Sequence, residues 1–223
     1  MVFKSRREFK PPLPSSLESL SRPLLPSDYP TTSASDSEQI QALFPKSYGQ
    51  PILSFEEGKG QAASRKLKVG VLFSGGQAPG GHNVIAGLFD SLREMDQGAS
   101  LIGFLGGPDG LIGGRSVVLE SDDIDRVRHT GGFDLIGSGR TKLESDEQLA
   151  AAMKSVRDLR LDGLVIIGGD DSNTNAAIIA EYFLENGCKT CVVGVPKTID
   201  GDLKNEHIDL SFGFDTATKC YSQ

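Results

Sequence analysis

KVGVLFSGGQAPGGHNVIAGLFDSLREM, residues 68 to 95, decides the fold. Lys68 to Phe73 is an apolar run of strand length, Ser74 to Gly81 is a turn rich in glycine, and Asn83 to Met95 places Val84, Ile85, Leu88 and Leu92 at helical spacing. A strand, a glycine turn and a helix in that order form the first unit of a parallel α/β sheet, because a crossover helix lets the next strand run in the same direction.

Outward from this unit the pattern repeats. Leu101 to Leu105 reads as a second strand, and Ser121 to His129 as a short helix capped by Ser121. A helix from about Asp146 to Arg160 leads into the apolar strand Leu164 to Ile167, then a helix from about Asn173 to Glu185 and a strand from Thr190 to Val195. A last helix is expected to begin near Gly213. The expected fold is therefore α/β, a Rossmann-like parallel sheet with helices on both faces, spanning residues 65 to 223 and incomplete at its C-terminus. Residues 1 to 64 carry Pro11, Pro12, Pro14, Pro23, Pro26 and Pro30 among many serines, which predicts an irregular arm until the apolar stretch Ile40 to Phe44. A loose tail and a segment packed on a partner subunit are both compatible with that composition.

The 223 residues have a formal net charge of -7, which repels nucleic acid and anionic lipid in the absence of a basic patch. The apolar runs are strand-length, too short to span a bilayer. The basic start, MVFKSRREFKPP, precedes no apolar region of the secretory kind, and three cysteines make an odd count, so a cytosolic setting is expected.

Three loops directly follow strands, where parallel sheets place their ligands. SGGQAPGGHN, residues 74 to 83, offers glycines that let backbone N–H groups approach an anion at the next helix N-terminus; tight packing of the turn would ask for the same residues. Its spacing matches neither a dinucleotide fingerprint nor a Walker loop. IIGGDDSNTNA carries Asp170 and Asp171, which suit a hard cation beside phosphate, whereas Asp171, Ser172 or Asn173 could equally cap the helix. VPKTIDGDLKN sets Lys197 and Thr198 beside Asp200 and Asp202, a composition that suits a general base, a metal carboxylate and a cation for moving phosphate, or else a solvated acidic turn.

The ordered series SGGQAPGGHN, GSGRTK, GGDDSNTNA, PKTIDGDL and SFGFDTA resembles the phosphofructokinase superfamily, in particular its pyrophosphate-dependent branch and the catalytic beta subunit of the plant type. The likeness runs from about Lys66 to the end, with a weaker echo in PPLPSSL and LFPKSYGQP. It implies Mg²⁺-dependent, reversible transfer of phosphate from diphosphate to the 1-hydroxyl of fructose 6-phosphate, by a homo- or hetero-oligomer. Gly75 and Gly76 would belong to the diphosphate loop, and Arg140 would contact the transferring phosphates. Asp170 would hold Mg²⁺ with Asp202 nearby. Thr198, Ile199 and Asp200 would form the sugar segment, with Asp200 as proton acceptor. Asp171 stands where ATP-using relatives carry glycine and would exclude an α-phosphate; Lys197, also glycine in those relatives, would stabilise charge on diphosphate.

The resemblance also implies an MGR motif and further basic residues for the sugar phosphate, which this sequence does not contain. The 223-residue chain alone is accordingly expected to be inactive, and a non-catalytic fragment associating with full-length chains is the alternative. Cys188 and Cys191 are expected to be small buried residues rather than a redox pair, and a zinc site with His207 and Cys220 fits no common spacing. His82 is expected to be either a phosphate ligand or a satisfied polar neighbour of the loop.

Overall fold

A computed structural model describes residues 8–10, 12, 24–55, 65–78, 80–130, 133–200, 213, 218–219 and 221–222. In the arm, β1 (Leu24–Pro30) and β2 (Pro51–Phe55) pair antiparallel around the short helix α1 (Ser37–Leu43). The arm is thus more regular than its prolines suggest, since an edge strand tolerates proline where no ladder donor is needed.

The body alternates β3 (Lys68–Ser74), α2 (Gly81–Met95), β4 (Ser100–Phe104), α3 (Pro108–Ile112), β5 (Ser116–Leu119), α4 (Ser121–Val127), β6 (Ser138–Gly139), α5 (Asp146–Leu159), β7 (Gly163–Gly168), α6 (Asp170–Glu185) and β8 (Cys191–Pro196). The sheet order is β5-β4-β3-β7-β8, with β6 joining the carboxyl end of β3. All these pairings are parallel except β4 with β5. The expected parallel sheet is present, with β5 as an antiparallel strand at its edge. The five-residue α3 is too short a crossover to return the chain parallel, so it reverses as β5.

Each central strand is buried on both faces. Leu72, Phe104, Leu164 and Ile166 face one core layer with α5 and α6, while Val71, Phe73, Val165 and Ile167 face the other with α2 and α4. This explains why those strands read as continuous apolar runs rather than alternating ones. Several element ends differ from expectation. The cap of α4 is Glu120, in a reciprocal capping box with Asp123, and Ser121 is the first helical residue. Helix α6 begins at Asp170 instead of Asn173. The helix expected near Gly213 lies largely outside the described residues, although Gly213 itself bridges to Asp200. Cys188 is buried as expected, but Cys191 is exposed, because β8 is the sheet's last described strand.

The arm is held to the body at α6. The buried Glu181 carboxylate accepts from the Lys46 and Ser47 amides at 2.7 and 2.9 Å and from Ser47 Oγ at 2.7 Å. No helix among the described residues is long and apolar enough to cross a membrane.

Candidate functional site

The chain leaves β3 toward β4 on one side and reaches β7 on the other, so the order reverses between β3 and β7. Such a reversal opens a crevice at the carboxyl ends of the strands. A cavity of about 640 Å³ occupies that edge, lined by the segments after β3, β6, β7 and β8. Three cations, Arg140, Lys142 and Lys197, and three carboxylates, Asp170, Asp171 and Asp200, line it. The mixture suits a highly charged anion that brings its own counter-cation.

The β3 loop contributes through shape. Gly75 takes φ +87, and a Cβ there would lie 3.7 Å from Lys197 Nζ and 3.8 Å from Ser172 Oγ. Its N–H is already donated to the Gly139 carbonyl at 2.8 Å, so Gly75 offers space and curvature rather than an amide. From this loop the described residues Ser74 to Ala78 line the cavity, and α2 begins at Gly81. Gly81 is needed for packing instead: a Cβ would come within 2.4 Å of the Phe133 ring. His82 is the satisfied neighbour, buried, with Nδ1 3.0 Å from Thr130 Oγ1 and Nε2 accepting from the Leu135 amide at 3.4 Å.

Lys197 is the most constrained cation of the site. Its ammonium donates to the Gly76 carbonyl and lies 5.5 Å from the centroid of Phe133, which stacks on Phe73 at 4.0 Å. Burial pushes its pKa below the ordinary 10.5, the Arg140 charge adds to that, and Asp200 opposes it. A cation so placed gains most when an anion arrives. Phe133, a platform for this cation, carried no sequence signal beyond being apolar.

At the start of α6 the helix cap is Gly169, with no side-chain cap bond. None of Asp171, Ser172 and Asn173 therefore serves as the cap. Ser172 donates to Ser74 Oγ at 2.8 Å, and Asn173 donates to the Gly168 and Gly169 carbonyls. Asp170 and Asp171 both stand in the first helical turn, where the helix dipole favours negative charge, and both line the cavity. Asp171 pairs with Lys142 at 3.3 Å, a partner absent from the sequence reading.

The segment after β8 brings Thr198, Ile199 and Asp200 to the cavity wall; Thr198 Oγ1 accepts from the Asp200 amide at 3.0 Å. Asp200 is exposed. Gly76 lies beneath Arg140, where a Cβ would sit 3.5 Å from Nη2. Asp202, His207 and Cys220 lie outside the described residues. Among the described residues no cluster of three metal-binding side chains forms.

A phosphofructokinase family profile matches residues 68–223. The chain is 55% identical over 202 residues to a pyrophosphate–fructose 6-phosphate 1-phosphotransferase of Treponema pallidum (strain Nichols), covering 86% of this chain and 35% of that protein. It is 50% identical over 225 residues to the beta subunit of the enzyme so named in Solanum tuberosum, covering 100% of this chain and 39% of that one. The fold is similar to the crystal structure of a pyrophosphate-dependent phosphofructokinase from Marinobacter aquaeolei, with a TM-score of 0.55 at 22% identity, over 61% of this chain and 35% of that one. The chain thus spans little more than a third of the length of these relatives.

Proposed function

Since the chain belongs to the phosphofructokinase family, we propose that it supplies the donor and proton-accepting part of a Mg²⁺-dependent phosphotransferase, which moves phosphate between diphosphate and the 1-hydroxyl of fructose 6-phosphate. The observation that carries this reading is the gathering of Arg140, Lys197, Asp170, Asp171 and Asp200 around one cavity at the reversal of the sheet. The names of the relatives, which specify diphosphate and fructose 6-phosphate, support the substrates.

In this reading Asp200 accepts the proton of the 1-hydroxyl as its oxygen attacks the terminal phosphorus. The bridging P–O bond breaks, and phosphate leaves with the electron pair. Arg140 and Lys197 offset the charge that shifts to the leaving phosphate, which is the main demand phosphoryl transfer makes on a protein. Asp170, with Asp202, would hold Mg²⁺, which when bound neutralises phosphate charge. Asp171 repels an added α-phosphate and so disfavours ATP. Gly75 and Gly76 leave room for diphosphate, while Thr198 and Ile199 flank the sugar. The subunit naming of the potato relative supports an oligomer with related chains, and the free Cys188 and Cys191 suit a reducing, cytosolic setting.

The test is a chimera joining residues 1–223 to the remaining portion of the Treponema pallidum relative, assayed with fructose 6-phosphate and either diphosphate or ATP. Turnover with diphosphate is expected, and Asp200→Ser should lower kcat by about 10² to 10⁴ while leaving diphosphate affinity nearly unchanged. A preference for ATP, or normal turnover in Asp200→Ser, overturns the assignment. A chimera that binds diphosphate without transferring phosphate favours the non-catalytic alternative.

A further inference from the structure

The segment Arg140–Lys142 is a short cationic span crossing the cavity between two fixed ends. At its amino end, Ser138 and Gly139 pair with Phe73 and Ser74, and Ser138 Oγ donates to the Gly75 carbonyl at 2.7 Å. At its carboxyl end Leu143 is fully buried, and it has no strand neighbour there. Its N–H donates to Asn175 Oδ1 at 3.0 Å, and its carbonyl accepts from Asn175 Nδ2 at 2.9 Å. One side-chain amide therefore does what a neighbouring strand does for a hydrogen-bonded residue pair.

We propose that Asn175 is a positioning residue for the donor site, holding Arg140 and Lys142 in fixed relation to Asp170 and Asp171; the inference rests on the diphosphate reading above. The acids and Asn175 share helix α6, so the clamp ties the cations to the element that carries the opposing charges. Arg140 reaches Gly76 on one side, and Lys142 reaches Asp171 on the other. An ionised carboxylate or an apolar side chain of the same size lacks the donor that meets the Leu143 carbonyl, so neither makes both bonds. Asn175 is itself buried, so water does not readily substitute for it. Arg140 and Lys142 are exposed side chains at the cavity rim, so their contribution depends on where the backbone holds them, and a chain released at Leu143 would lose that placement over the cavity.

Calorimetric titration of the chain with magnesium diphosphate tests this, with thermal unfolding of each variant as the control for folding. Asn175→Asp keeps the shape and the acceptor but removes the donor to Leu143; Asn175→Ser removes the reach without burying a charge. Each folded variant is expected to bind about five- to tenfold more weakly, the scale of losing a buried hydrogen bond. The decisive readout is coupling. In an Arg140→Ala/Lys142→Ala background, Asn175→Ser should cost no more than about a further factor of two, because Asn175 acts through the span. Full multiplicative loss in that background, or unchanged affinity in the folded single variants, overturns the role of Asn175 while leaving the diphosphate reading intact. No binding of magnesium diphosphate by the unaltered chain overturns both.

Discussion

On the proposed reading, donor choice rests on single side chains around the 640 Å³ cavity. Asp171 occupies the rim against Lys142, while Lys197 lies deeper, over Phe133 and bonded to Gly76. In the proposed reading the two residues act on different parts of a donor, Asp171 repelling an added phosphate and Lys197 attracting diphosphate. In the chimera, Lys197→Gly alone should lower kcat/KM for diphosphate without opening a nucleotide site. Asp171→Gly combined with Lys197→Gly should begin to admit ATP, measured as kcat/KM for both donors in all four forms. A donor preference untouched by Asp171→Gly removes that residue from discrimination. Lys197 also predicts a pH dependence. Its pKa lies below 10.5 in the free site, chiefly through burial, and a bound anion favours its protonated form. Binding should therefore take up a proton on the alkaline side, and diphosphate affinity should fall as pH rises through the lowered value. Lys197→Arg, which stays charged, should lose that alkaline decline. Affinity that remains flat in the wild-type chain up to pH 10.5 would separate Lys197 from the ligand.

At the scale of elements, the glycines separate into those the fold requires and those it merely tolerates. Gly107 has φ +70, and a Cβ there would lie 2.4 Å from the Phe73 carbonyl and 2.5 Å from the Gly139 amide, both backbone groups at the site's edge. Gly107→Ala should destabilise by about 3 kcal/mol or more, since strain and collision add. Gly87, inside α2, meets nothing within 4 Å, so Gly87→Ala should stabilise by about 0.5–1 kcal/mol through helix propensity. Urea unfolding of both variants checks the pair; a neutral Gly107→Ala would show that the loop can shift away from β3. The contrast also explains what the sequence could and could not reveal. Strand β3, its turn and α2 were legible because period, glycines and apolar spacing all lie within one short window. Strand β5 was not, because Ser116–Leu119 is short and is defined by its pairing with β4. Asn175 looked like one more polar residue after the doubled aspartate, and its meaning lies in Leu143, 32 residues away. Phe133 and Lys142 carry no sequence signal for the same reason: they meet Lys197 and Asp171 only through the fold.

For the whole molecule, the sheet sets the site and the arm is an attachment to it. The body buries two apolar layers, whereas α1 buries no residue of its own. Among the described residues the arm meets the body through the Lys46–Ser47 turn on Glu181 and through Phe9, whose carbonyl lies 3.0 Å from His129 Nε2 and whose ring stands edge-on to that imidazole at 5.3 Å. The Glu181 contact has a consequence for the integrity of the chain. That carboxylate grips two backbone amides and a hydroxyl directly, a hold on the arm separate from the peptide link between residues 55 and 65. A single nick by protease in that stretch should leave both pieces travelling as one particle in size-exclusion chromatography. In Glu181→Ala the same nick should release the arm, so that one carboxylate decides whether a cut chain behaves as one molecule or two.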